Sequence, residues 1–237
     1  MARFLLNDEE RLREEDPFTG QMARAVAEVA GGALILGERS RFEMDLNRPR
    51  EGAIYLRPED AWGLNVWREE LDEETVARSL AQFDEFYDEV RNMVEDATRK
   101  FGRVVIYDLH SYNHRRDGSD APAADAQENP EVNIGTGTLD DREKWAPIIE
   151  SVMNDLSRFD YLGRGLDVRE NVKFRGGFFP RWLHENFPGQ VCAIAIEWKK
   201  FWMDEWSGEA DEEQLRLIQQ ALQSTVAGVR RELEKLS

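Results

Sequence analysis

The chain has 237 residues, a single cysteine, Cys192, and a net charge of −17. So acidic a surface repels nucleic acid and anionic membranes, one cysteine excludes an internal disulfide framework and suits a reducing cytoplasm, and no run is apolar enough for a signal peptide or for the ~20 residues of a membrane span. The expectation is one cytoplasmic domain over residues 1–237, long enough to bury its own core, in which any anionic ligand needs a local basic pocket.

Apolar periodicity places the elements. Residues 22–29 read as a short helix closed by Gly31-Gly32. Residues 33–36 are a short apolar run, expected as a buried strand. Phe42, Met44 and Leu46 alternate like a strand, which Pro49 stops. Residues 73–100 form the longest helix candidate, with Val76, Leu80, Phe83, Tyr87, Val90 and Val94 at helical spacing and Gly102 after them. Residues 104–107 are a continuous apolar run, as in a central strand covered on both faces. A polar stretch at 111–141 reads as a long, functional loop. Residues 144–159 look helical, 171–174 suit a strand, and 180–187 suit a short helix with Pro near its start. Residues 191–196 are a second apolar run, and 211–236 a long last helix. Strands alternating with helices predict an α/β fold, with a mostly parallel or mixed sheet and helices on both faces.

Two strand ends carry chemistry. Val-Val-Ile-Tyr-Asp-Leu-His-Ser-Tyr holds His110, and Val-Cys-Ala-Ile-Ala-Ile-Glu ends in Glu197. Ligands of open α/β sheets collect at the carboxyl ends of parallel strands. A histidine and a glutamate there suit a metal ligand and a proton acceptor for its water. Equally, a histidine after a strand is often an ordinary polar residue. The chain has only three histidines and no His-x-x-Glu pair, so spacing alone does not establish a metal site.

Asp108-Leu109-His110-Ser111-Tyr112 resembles the segment of zinc carboxypeptidases whose histidine is the last metal ligand. Asp45-Leu46-Asn47-Arg48 resembles the Asp-x-Asn-Arg segment of N-formylglutamate amidohydrolases, and Ala195-Ile196-Glu197 the strand of their catalytic glutamate. The order along the chain also matches. Arg13 to Thr19, Asn129 to Thr138 and Met203 to Trp206 are similar to one bacterial branch of that family, so the resemblance spans nearly the whole chain.

The resemblance implies a zinc carboxypeptidase or phosphorylase-hydrolase-like fold and zinc-dependent hydrolysis of a small N-acyl amino acid such as N-formylglutamate. It implies that Glu197 is the catalytic base, that His110 is a zinc ligand, and that an acid of Glu14-Glu15-Asp16 is another, Glu15 before Asp16. The family's first ligand is a histidine in an N-terminal loop, and no histidine precedes His110. The chain is therefore expected either to be truncated or to have lost that ligand. In the latter case it would be an inactive binding or regulatory protein. Arg48 and Asn47 are expected to hold a substrate carboxylate, with Tyr112 and Arg175 as further contacts. His184 is expected to be structural.

Overall fold

Four strands form one mixed sheet in the order β1-β4-β2-β3. The computed structural model describes residues 8–236. The strands are β1 (Val104–Tyr112), β2 (Val132–Gly135), β3 (Val168–Glu170) and β4 (Val191–Lys199). β1 and β4 run parallel, β2 is antiparallel to β4, and β3 is parallel to β2. The helices are α1 (Asp8–Glu14), α2 (Thr19–Ala30), α3 (Glu73–Phe101), α4 (Arg142–Arg158), α5 (Phe178–Asn186) and α6 (Glu212–Lys235). Among the described residues no helix is long and apolar enough to cross a membrane.

Strand alternation divides the core into two layers. Val105, Tyr107 and Leu109 of β1, with Cys192, Ile194, Ile196 and Trp198 of β4, pack with α2, α4 and α6. Ile106, Val191 and Ala193 point the other way, to α3 and α5. Both faces of β4 are therefore covered, which is why its sequence reads as an unbroken apolar run. Helix starts follow their caps: Asp72, Asp141 and Asp211 accept the N–H of Thr75, Lys144 and Gln214. Gly31 and Gly102, both at positive φ, close α2 and α3.

Several expected elements differ. Residues 33–36 form no strand; they run over the surface with Ile35 42% exposed, and Leu36 folds back against α2 at Gly20. Residues 42–46 are turn and coil: the Glu43 N–H donates to the Ser40 carbonyl, and the Asp45 carboxylate accepts the Asn47 N–H at 2.8 Å, which bends the chain. No strand forms at 171–174; β3 lies just before, at Val168–Glu170. It stops where Asn171 takes a positive φ and the Asn133 side chain accepts the N–H groups of Val172 and Lys173. The stretch 111–141 is not all loop. β1 continues to Tyr112, and β2 is a fully buried strand whose four residues, one of them asparagine, carry little periodic signal.

Candidate active site

Register brings the two strand-end residues together. His110 and Glu197 are direct partners on parallel strands, and Asn133 of β2 is the partner of Glu197 on the other side. Paired residues share a face, so Asp108, His110, Glu197 and Asn133 all lie on the α3/α5 side, toward the carboxyl ends of β1 and β4. The apolar lower halves of the strands are core. Their polar upper halves are the site.

Asp16 enters from the segment after α1. Its Oδ2 lies 3.1 Å from His110 Nδ1, and its Oδ1 accepts the Ser111 N–H at 3.1 Å. Glu15, the acid preferred from sequence, points elsewhere: its carboxylate takes the hydroxyl of Ser40. On the far edge of the imidazole, Asp108 Oδ2 sits 3.0 Å from Nε2. That oxygen is buried, and among the described residues no other donor reaches it.

The electrostatics follow from this crowding. Burial pushes the Glu197 carboxyl up to about 7, with Asp16 and Asp108 adding to the rise against the pull of His110 and Arg41. Burial disfavours the charged form of His110, but Asp108, Glu197 and Asp16 outweigh it and lift the imidazole well above its ordinary range. For Asp16 burial acts upward, yet the hydrogen bond and charge of His110, helped by Arg41 and Lys200, hold the carboxyl below its usual value.

The Asn47-Arg48 loop is built around Asp45, which is buried. Asp45 Oδ2 accepts two N–H groups of Arg41, at 2.7 and 3.2 Å, and the Tyr55 hydroxyl. Tyr87 of α3 donates to the Leu46 carbonyl at 2.5 Å and ties the loop to the helix. Asn47 Oδ1 accepts the Phe179 N–H at 3.0 Å, which turns its Nδ2 to within 3.5 Å of His110 Nε2. Gly177 makes room for it: a Cβ there would stand 2.1 Å from Asn47 Oδ1. Arg48 lies over the Tyr55 ring, 4.5 Å from its centroid, and only 4.0 Å from Asp45. Its guanidinium also faces the Trp62 ring, whereas that of Arg41 is spent on Asp45.

The remaining candidates are less central. The Tyr112 hydroxyl is buried and donates to the Pro130 carbonyl, and its ring packs on Phe174. Arg175 is exposed, but its main chain lies across Gly135 and Gly137; its carbonyl accepts the Gly137 N–H at 2.7 Å. His184 is buried between Thr138 and Ala193, as a structural residue should be. Sequence reasoning passed over Arg41, Asp108 and Lys200. Only Asp108 carried a signal, as the residue two before His110 and hence on the same strand face.

Zinc fits part of this arrangement. Donors bound at ~2.0–2.1 Å and roughly tetrahedral angles stand about 3.3 Å apart, near the Asp16–His110 spacing. A metal-bound histidine normally gives its other ring N–H to a carboxylate, and the orphaned Asp108 oxygen occupies that place. Among the described residues, however, no three His, Cys, Asp or Glu side chains form a metal-holding group. Asp16 and His110 therefore supply two donors, where a catalytic zinc usually takes three from its protein.

A mixed α/β sheet that sets Glu197 opposite His110, with Asp16 and Asp108 on the two edges of the imidazole, suits an α/β hydrolytic enzyme. A family model for N-formylglutamate amidohydrolase matches residues 1–201, and the chain belongs to that family. The fold is similar to the crystal structure of an N-formylglutamate amidohydrolase from Ralstonia eutropha JMP134, at 19% identity and a TM-score of 0.69, covering 98% of this chain and 87% of that one. It is also similar to the gene product Atu2144 from Agrobacterium tumefaciens, at 18% identity and a TM-score of 0.60, covering 92% and 78% of the two chains. No curated protein matches the sequence.

Proposed function

We propose that the chain hydrolyses the amide bond of a small, carboxylate-bearing N-acyl amino acid, with N-formylglutamate as the first substrate to test. The observation that carries this reading is the direct pairing of His110 with a Glu197 whose carboxyl is pushed up to about 7. A general base works best when its pKa lies near the working pH. Glu197 takes a proton from the attacking water and returns it to the nitrogen of the leaving amine, so that water is added across the C–N bond and the acid and amine are released. Arg48 holds the substrate carboxylate, and Asn47 orients the substrate beside His110. His110 and Asp16 would hold zinc, with Asp108 fixing the histidine ring. Zinc, when bound, supplies Lewis-acid polarisation of the carbonyl and a water of lowered pKa.

A second reading, a binding protein on the same fold, draws on the two-donor set among the described residues. Formate release from N-formyl-L-glutamate, measured with added Zn²⁺ for the wild type and Glu197→Gln, separates the two. Release that vanishes in the variant supports the enzyme. Binding of the compound by both proteins with no release in either supports the binding protein.

A further inference from the structure

Lys200 is 1% exposed, the deepest of the Lys, Arg, Asp and Glu residues among the buried groups described. A buried ammonium needs partners for all its protons. Lys200 Nζ donates to the Arg13 carbonyl, the Glu15 carbonyl and Asn113 Oδ1, each at 2.8 Å. All three acceptors are neutral, so the contact is no ion pair. It is a clip on main chain and on the end of β1.

The place it grips matters. Carbonyls at the end of a helix lack partners within it, and a cation there is favourable. Arg13 belongs to the last turn of α1, and the Glu15 carbonyl lies in the peptide plane that leads into Asp16. Lys200 itself follows β4 directly, three residues after Glu197, and its own N–H donates to the Tyr112 carbonyl at 3.0 Å. One residue therefore fixes the approach of Asp16 relative to the strand that bears the base.

We propose that Lys200 is a positioning residue, which clips Asp16 to the end of β4 and so holds that acid against His110. The proposal rests on the reading of Asp16, His110 and Glu197 given above. Its geometry also explains the residue type: three divergent donors suit an ammonium, and the planar fork of arginine does not reproduce them.

The test uses the full chain with Zn²⁺ and N-formyl-L-glutamate, comparing Lys200→Met, Asp16→Asn and the double variant. Kcat should fall about 10- to 100-fold in Lys200→Met, as for loss of an outer-shell partner, with KM changed by less than about twofold. The double variant should be no slower than Asp16→Asn alone, because Lys200 acts through Asp16. A second readout is independent of activity. With three histidines the ring signals can be assigned by ¹⁵N NMR. In the zinc-free protein, Lys200→Met should move the His110 ring signals toward their positions in Asp16→Asn while leaving those of His184. Unchanged His110 signals, unchanged kcat or additive losses in the double variant would overturn the proposal. If Asp16→Asn keeps full kcat, or no formate is released by any protein, the functional reading fails instead, and the ring signals alone decide on Lys200. Should Lys200→Met not fold, Lys200→Gln, which keeps two N–H donors, carries the same comparison.

Discussion

Glu197 stands directly opposite His110 on the neighbouring parallel strand, with only the inter-strand spacing of about 4.8 Å between their backbones. The glutamate and the histidine are therefore fixed relative to each other by the main-chain ladder and not by loops. What remains adjustable is the third partner, Asp16, which arrives from a segment 94 residues away in sequence from His110.

Glu197→Gln should lower kcat by at least ~10²-fold, the low end for a positioned general base, with substrate affinity nearly intact. The wild type should lose kcat/KM on acidification, since only the ionised carboxylate accepts a proton. The sign for stability is opposite. A carboxyl raised above its ordinary value is stabilised as the acid, so the zinc-free fold loses stability as pH rises through about 7. Zinc-free Glu197→Gln should therefore be more stable than the wild type at pH 8, by on the order of 1–3 kcal/mol in urea unfolding. Equal stability at pH 8 would remove the buried-charge argument.

The two arginines of the Asp45 loop should separate. Arg41→Ala leaves Asp45 buried without the guanidinium that gives its Oδ2 two hydrogen bonds, and should cost roughly 3–5 kcal/mol of stability. Arg48→Ala removes a side chain 35% exposed and only 4.0 Å from Asp45. It should leave stability within about 1 kcal/mol but weaken binding of a carboxylate-bearing substrate by on the order of 2–4 kcal/mol, seen as a raised KM. An unchanged KM would place Arg48 outside the substrate pocket.

These contrasts show where the sequence is legible. β1 and β4 announce themselves because strands covered on both faces must be apolar throughout, and their ends then mark His110 and Glu197. β2 stays hidden because four residues, one of them Asn133, are too few for a period. Residues 33–36 mislead for the converse reason: an apolar run is no strand without a partner edge. Glu15 and Asp16 cannot be ranked from sequence. Which of two adjacent acids faces His110 depends on the direction of one peptide plane, and that is set by Lys200 from the other end of the chain. Arg41 looks like a surface arginine until the turn at Asp45 folds it inward.

Gly177→Ala tests the loop through shape alone. Gly177 has φ −93°, so alanine meets no backbone strain there. Its Cβ, however, would fall 2.1 and 2.3 Å from the Asn47 amide oxygen and nitrogen. Asn47 must then leave its place beside His110. Activity should fall at least as far as in Asn47→Ala, and the double variant should be no worse than either, because both remove the same group. Full activity in Gly177→Ala would mean that Asn47 has no part in the reaction.

His184 lies outside the site but bridges α5 and β4. Its Nε2 accepts the Ala193 N–H at 3.0 Å, and its Nδ1 lies 3.0 Å from the Thr138 carbonyl. Only the neutral ring with its proton on Nδ1 satisfies both contacts. Burial pushes its pKa below the ordinary histidine value, partly offset by the Thr138 carbonyl. When pH falls below that ordinary value of 6.5, the unfolded chain takes up a proton that the folded ring refuses. Stability is thus lost on acidification from about pH 7, by at most ~1.4 kcal/mol per pH unit for one proton. His184→Gln offers Ala193 an oxygen acceptor and Thr138 an N–H donor, and it does not titrate. It should cost about 1–2 kcal/mol at pH 8 through imperfect geometry. Between pH 7 and 5.5 it should then lose less stability than the wild type, so the gap between the two urea midpoints narrows. His110, whose pKa is raised, drives stability the other way in both proteins and cancels from the difference. If the two midpoints fall in parallel over that range, His184 is not the group whose protonation weakens the fold.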